Sequence, residues 1–146
     1  MLNRLIATIA TVTLLFAAPG IAQETAAPED AAVYFVNLED GATVSLPVTV
    51  IFGLEGMGVA PAGTEKENTG HHHLLIDRPA FGSEDPDEVN FGIPADENHV
   101  HFGGGQTQTT IDLAPGQHTL QMVLGDLNHV PHVPPVMSEV ITITVE

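Results

Sequence analysis

The sequence contains no cysteine and no tryptophan, and these two absences exclude several classes of protein. Without cysteine the chain cannot be a disulfide-stabilised scaffold, a lipoprotein anchored through a lipidated cysteine, or a thiolate metal site. A blue-copper electron-transfer centre is excluded as well, because it needs a cysteine beside its histidines. Since tryptophan is also missing, the core signature of an antibody domain is absent from the chain.

Basic residues are scarce. The 146 residues include 3 lysines and arginines against 19 acidic residues, which gives a formal net charge of −16. Such a surface repels nucleic acid and anionic lipid and attracts cations, so we expect no nucleic-acid partner. High acidity also keeps an exported protein in solution, so the charge does not by itself identify a cation-binding protein.

One long apolar run is present, at the amino terminus. Asn3 and Arg4 precede an apolar stretch over residues 5–16, and residues 20–22 form a small-x-small cleavage motif. This pattern predicts a signal peptide over residues 1–22, and the run is too short for a membrane-spanning helix. We therefore expect a periplasmic or secreted protein with no membrane insertion after signal cleavage. A retained leader that anchors the chain is the alternative.

The remainder of the chain has the pattern of an all-β protein. Residues 23–31 are a polar stretch that we predict to be a linker, and residues 32–146 are predicted to form a single β-sandwich domain. Short segments rich in Val, Ile, Thr and Phe, separated by Gly, Pro and Asp, predict seven strands. They are 33–38, 43–54, 71–77, 98–102, 107–113, 117–125 and 136–145. Seven short strands without helices indicate an immunoglobulin-like or cupredoxin-like Greek-key β-sandwich.

Two long segments interrupt the regular spacing of the strands. Residues 55–70 form a Gly- and Pro-containing loop that carries Met57, and residues 78–97 form an acidic loop with two phenylalanines. Loops of this length in a small domain are usually functional or mobile.

Histidine is the residue that the chain has in excess, with eight copies. They are His71, His72, His73, His99, His101, His118, His129 and His132. Side chains alternate across a strand, so His72 shares a face with Leu74 and Ile76, and His71 and His73 share the other. If the aliphatic face is the buried one, His71, His73, His99 and His101 point outward from the sheet.

Connectivity brings these histidines together. Segments 71–77 and 98–102 are predicted to be antiparallel neighbours, which places His71 and His73 beside His101. The loops at that end of a sandwich would be 55–70 and 126–135, which carry Met57, His129 and His132. The prediction therefore places the two histidine-bearing strands and both of these loops at the same end of the sandwich.

Imidazole clusters of this kind are ligands for Cu(II), Zn(II) or Ni(II), and copper binds tightest of the three. A nearby thioether would favour Cu(I), so the methionines direct the prediction toward copper over zinc. We predict a surface metal site, with Asp77 or Asp126 as a further ligand or as a partner that orients an imidazole. The predicted ligands are His71, His73, His99, His101, His129, His132 and Met57. The partners would be a metal ion and an envelope protein; no catalytic residues and no organic cofactor are assigned.

Other interpretations use the same residues. An immunoglobulin-like module could bind a protein or a glycan through its long loops without metal, or a metal-dependent enzyme could keep one coordination position open. A pH-sensing patch would also use histidines. For two of the eight we favour a role outside any site: His72 as a packed core residue, and His118 as a solvated surface residue after a Pro-Gly turn.

Several motifs resemble those of a family of small exported bacterial proteins that is catalogued only as a domain of unknown function. The matching stretches are FGLEGM (52–57), APAG (60–63), GHHHLLID (70–77), HVHFGGGQT (99–107), PGQHTL (115–120) and LGDLNHVPH (124–132). The resemblance covers residues 45–146. It implies export and a β-rich domain, and it implies no activity.

Overall fold

The computed structural model describes residues 25–146, so the predicted signal peptide lies outside the described residues. The described chain forms nine strands and one short 3₁₀ helix. The strands are β1 (Ala32–Phe35), β2 (Thr43–Val44), β3 (Val48–Glu55), β4 (Gly58–Val59), β5 (Thr69–Ile76), β6 (His99–His101), β7 (Gln108–Ile111), β8 (Gly116–Gly125) and β9 (Ile141–Val145). The helix spans Pro86–Asn90.

The strands form two sheets that share one core. The smaller sheet has the order β1-β3-β7, and the larger has the order β2-β9-β8-β5-β4, with β6 also paired to β5. Buried side chains from both sheets, among them Val50 and Phe52 on β3 and Leu74 on β5, belong to a single hydrophobic cluster. Apolar faces of two sheets that bury each other define a sandwich, so the predicted all-β sandwich class is confirmed.

The larger sheet is buried on both faces. All eight residues of β5 are buried, whereas β3 alternates between buried and exposed positions only in its first half. His72, Leu74 and Ile76 face the main core, and on the opposite face Leu75 packs with Phe81, Ile93 and Val123 in a second cluster. The long loop over residues 78–97 supplies two of these side chains, so it covers the face that the sequence predicted to be open to solvent.

Some strand boundaries differ from the prediction. Segment 43–54 is two strands, separated around Leu46 and Pro47, because proline has no N–H to donate to a sheet. Of segment 136–145, only Ile141–Val145 is a strand, and β4, a two-residue strand parallel to β5, was not predicted.

The predicted linker is partly bound to the domain. The amide of Ala27 donates to the carbonyl of Val133 (3.0 Å), and the amide of Val133 donates to the carbonyl of Thr25 (2.9 Å). These residues therefore lie against the loop that follows β8. Within residues 25–146, no helix has the length and apolar character needed to cross a membrane.

Candidate metal centre

Strands β5 and β6 place three histidines on one face of the larger sheet. The two strands are antiparallel neighbours, as predicted, and His73 lies directly opposite His101. His71 is two residues before His73, so alternation puts its side chain on the same face. One ring nitrogen from each of the three histidines lies within 4.8 Å of the corresponding nitrogens of the other two.

A fourth imidazole approaches from the loop that follows β8. The ring of His129 lies with its centroid 4.5 Å from that of His101, 4.9 Å from that of His71 and 6.1 Å from that of His73. The backbone of His129 has φ 66°, the left-handed conformation that few residues other than glycine adopt. We refer to His71, His73, His101 and His129 as the histidine cluster.

The histidine cluster is largely buried, which corrects the prediction of a surface site. His71 and His73 have 1 % and 0 % of their surface exposed, whereas His101 and His129 are half-buried. The covering elements are the loop over residues 78–97 and the loop that carries His129, and the amide of Ile93 donates to the carbonyl of His129 (2.7 Å) to join the two. A ligand would therefore reach the cluster from the side of His101 and His129.

Most ring nitrogens of the cluster have no protein partner. Within the described chain, both ring nitrogens of His71 and of His73, and Nε2 of His101, are buried without a hydrogen bond. Buried polar atoms are nearly always hydrogen-bonded, and one left unpaired costs about 1–3 kcal/mol. The five nitrogens belong to three imidazoles, and each neutral imidazole has one lone pair that accepts no hydrogen bond and is free to coordinate a transition-metal ion.

Burial keeps the imidazoles of His71, His73 and His101 neutral. It lowers the pKa of His71 to about 4, with further contributions from the neighbouring His101 and His129. Burial likewise lowers the pKa of His73 to about 3, with His71 the next cause. The pKa of His101 is also lowered, first by burial and then by His129. At neutral pH His71, His73 and His101 therefore present unprotonated nitrogens, the form that binds metal.

Two glycines make room for the imidazoles, and the sequence pattern did not indicate this role for them. A Cβ atom at Gly125 would lie 2.7 Å from Cε1 of His73, and one at Gly103 would lie 2.6 Å from Nε2 of His101. Gly125 is the residue opposite His71 on β8, and Gly103 follows β6 by two residues. Their position next to histidine-bearing strands was visible in the sequence, but the direction of the rings was not.

His132, a predicted ligand, lies elsewhere. It is fully buried, and its two ring nitrogens lie 3.2 Å and 3.5 Å from the carbonyl oxygens of Thr69 and Leu124. These contacts join the start of β5 to the end of β8. His132 therefore braces the framework of the cluster, and both of its nitrogens face backbone oxygens.

Met57 and His99 are also separated from the cluster. Met57 is partly buried and packs against the main core, on the other side of β5. His99 shares the cluster's face of β6, and its Nδ1–H donates to the carboxylate of Asp96 (2.9 Å). Its ring is not among those that group with the cluster, although its Nε2 is buried without a partner in the described chain.

The two remaining histidines differ in their agreement with the prediction. His72 packs against the ring of Phe52 and donates from Nδ1 to the carbonyl of Gln106 (3.2 Å), as expected of a core residue. His118 is not the freely solvated surface residue that the sequence predicted, since its side chain is 13 % exposed. Its ring nitrogens contact the carboxylate of Asp77 and the carbonyl of Ala114, each at 2.8 Å, and the Asp77 contact raises the pKa of His118.

A family model described as a domain of unknown function, DUF4399, matches residues 50–146. The chain belongs to this family. The match contains the whole histidine cluster together with Gly103 and Gly125, and it begins inside β3, after β1 and β2. Comparisons with curated proteins and with solved structures gave no match.

Proposed function

We propose that this protein binds a transition-metal ion through His71, His73 and His101, with His129 as the fourth ligand. The observation that carries the proposal is the set of buried ring nitrogens without partners in the described chain. Outside the cluster, His72 and His99 each leave Nε2 unpaired but bond through Nδ1, whereas His71 and His73 have no partner at either ring nitrogen. Burial of three imidazoles next to one another weakens the metal-free fold, and coordination of a cation offsets that loss.

The spacing of the cluster supports the proposal. Tetrahedral ligands at about 2.0–2.1 Å from a metal lie about 3.4 Å from one another. The three nitrogens already lie within 4.8 Å, so each pair must close by at most about 1.4 Å. Side-chain rotation is sufficient for a movement of this size, and the sheet does not need to change.

Copper is the ion that we favour, with zinc second. An all-imidazole site suits both, and among divalent ions Cu(II) binds nitrogen ligands most tightly. Met57 packs with the main core and offers no thioether to the cluster. The proposed ion is therefore Cu(II) rather than Cu(I).

The proposed setting is the periplasm or the cell exterior, where the protein would serve in metal handling or delivery. The pattern of residues 1–22 supports export, and the formal net charge of −16 favours the approach of cations. N-terminal sequencing of the protein recovered from a periplasmic extract tests the export. A chain that keeps Met1 and stays in the cytoplasm would contradict it.

Titration of the metal-free protein with Cu(II) and with Zn(II) in a calorimeter tests the metal site. We expect one saturable site at micromolar metal or below, lost in the variant that carries His71→Ala, His73→Ala and His101→Ala. The matched control is His118→Ala, which removes one imidazole from a hydrogen-bonded pair outside the cluster and leaves the affinity unchanged. Absence of saturable binding, or equal binding by the triple variant, contradicts the proposal.

A further inference from the structure

Asp126 lies at the start of the loop that carries His129, and 1 % of the surface of the residue is exposed. Its Oδ1 accepts hydrogen bonds from the amides of Asn128 (2.7 Å) and Val130 (3.0 Å). Its Oδ2 accepts a hydrogen bond from the hydroxyl of Thr25 (2.7 Å). Both oxygens therefore have partners within the loop and the segment beside it, and the carboxylate is engaged in structure rather than presented as a ligand.

The same residue closes the loop through its backbone. The amide of Asp126 donates to the carbonyl of Val130 (2.8 Å), and the amide of His129 donates to the carbonyl of Asp126 (3.1 Å). Together with the two bonds to Oδ1, these contacts enclose His129 within a five-residue turn. They hold it at φ 66°, a conformation that a histidine does not adopt without support from its surroundings.

The loop of His129 is also supported by the segment before β1, in addition to the side-chain and backbone hydrogen bonds of Asp126. Thr25 bonds the carboxylate, and the backbone of residues 25–27 pairs with Val133 on the far side of the loop. These residues lie outside the stretch matched by the family model. The loop of His129 is thus held from within by Asp126 and from outside by Thr25.

We propose that Asp126 is the positioning residue of the metal centre: its carboxylate, fixed by Thr25, holds His129 over His71, His73 and His101. This inference rests on the proposed metal-binding function and adds a requirement to it. Because the hydrogen bonds of Asp126 position His129, its removal should weaken metal binding mainly where His129 is present. Partners that orient a metal ligand are worth about 10–100-fold in affinity.

A double-mutant comparison of metal affinity tests the inference, with Zn(II) as the probe and the full chain as the protein. We expect Asp126→Ala to weaken binding about 10–100-fold by itself and to add little to the loss caused by His129→Ala when the two are combined. Asp126→Asn is the conservative variant, because the amide oxygen still accepts from Asn128 and Val130. It should bind within about 3-fold of the unchanged protein.

Three results would overturn the inference. They are equal losses in Asp126→Ala and Asp126→Asn, additive losses in the double variant, and no loss in Asp126→Ala. If Asp126→Ala does not fold, Thr25→Val decides, since it removes one hydrogen bond to the same carboxylate. It should weaken binding about 3–5-fold, and unchanged affinity would count against the inference. If the unchanged protein binds no metal, the proposed function fails and the inference fails with it.

Discussion

Mild acidification should destabilise the metal-free protein through the buried histidines. His71 and His73 have pKa values of about 4 and about 3 in the folded chain, against 6.5 for an exposed histidine. The unfolded chain therefore binds more protons than the folded chain once the pH falls below 6.5. Stability is fully present above pH 6.5 and decreases as the pH falls toward the two folded values.

The size of this loss of stability follows from the difference in histidine pKa between the folded and the unfolded chain. Each group costs about 1.4 kcal/mol per pH unit once the pH is below the unfolded value of 6.5, and little above it. At pH 5.5, both folded pKa values are still well below the solution pH, so the loss depends mainly on the unfolded value. Acidification from pH 7.5 to pH 5.5 should therefore cost about 3 kcal/mol for the two histidines together. That is a large fraction of the 5–15 kcal/mol that typically separates folded from unfolded chains.

Urea denaturation of the chelator-treated protein at both pH values measures the loss. The variant His73→Leu should show about half of it, because one of the two titrating groups is gone and a leucine fills a similar volume. His118→Gln is the matched control. The raised pKa of His118 stabilises the fold below pH 6.5 and loses that effect as the pH rises through the folded value, so its removal should make the acid loss larger.

Two results would refute the reasoning. A free energy of unfolding that stays constant or increases between pH 7.5 and pH 5.5 would mean that His71 and His73 are not buried as neutral groups. An acid loss that is the same size in His73→Leu would mean that it arises from carboxylates or other groups.

Three further predictions concern the same face of the sheet. At pH 7.5, His73→Leu should raise the free energy of unfolding of the metal-free protein by about 1–3 kcal/mol, because two unpaired nitrogens leave the interior. The same substitution should abolish metal binding, because a proposed ligand is gone. Thermal melts with and without Zn(II) check both effects. Gly125→Ala should weaken metal binding at least about 10-fold, because its Cβ would displace the ring of His73. Gly58→Ala is the control: its Cβ would meet only ordinary contacts at 3.5 Å or more, so calorimetric titration with Zn(II) should show an unchanged affinity. Asp77→Asn should lower the pKa of His118 toward its ordinary value, measured from its ring protons by NMR titration; an unmoved pKa would contradict the assignment.

Alternation and connectivity were sufficient to predict the central part of the site. The apolar residues Leu74 and Ile76 set the inward face of β5, and a period of two then assigned His71 and His73 to the opposite face. The pairing of β5 with β6 followed from their order along the chain, and it places His73 opposite His101. Local pattern decides such features, because each depends on residues only two positions apart or on consecutive strands.

The loops could not be predicted in the same way. Nothing in the pattern of residues 78–97 indicated that Phe81 and Ile93 would pack on Leu75 and close over the histidines. His129 and His132 are three residues apart in one proline-containing loop, yet only His129 joins the cluster, and the hydrogen bonds of Asp126 set its conformation. Met57, placed by the sequence at the same end, turns to the main core.

By itself, the sequence determined the all-β class, the face of each histidine on its strand and the exclusion of thiolate chemistry. Only the tertiary structure decided that the histidine cluster is buried, that four imidazoles rather than seven ligands meet, and that glycines at 103 and 125 leave room for them. The physical reason is the separation along the chain of the residues that set each feature. Strand alternation is a local property of the backbone, whereas burial and the meeting of ring nitrogens depend on contacts between segments far apart in the chain.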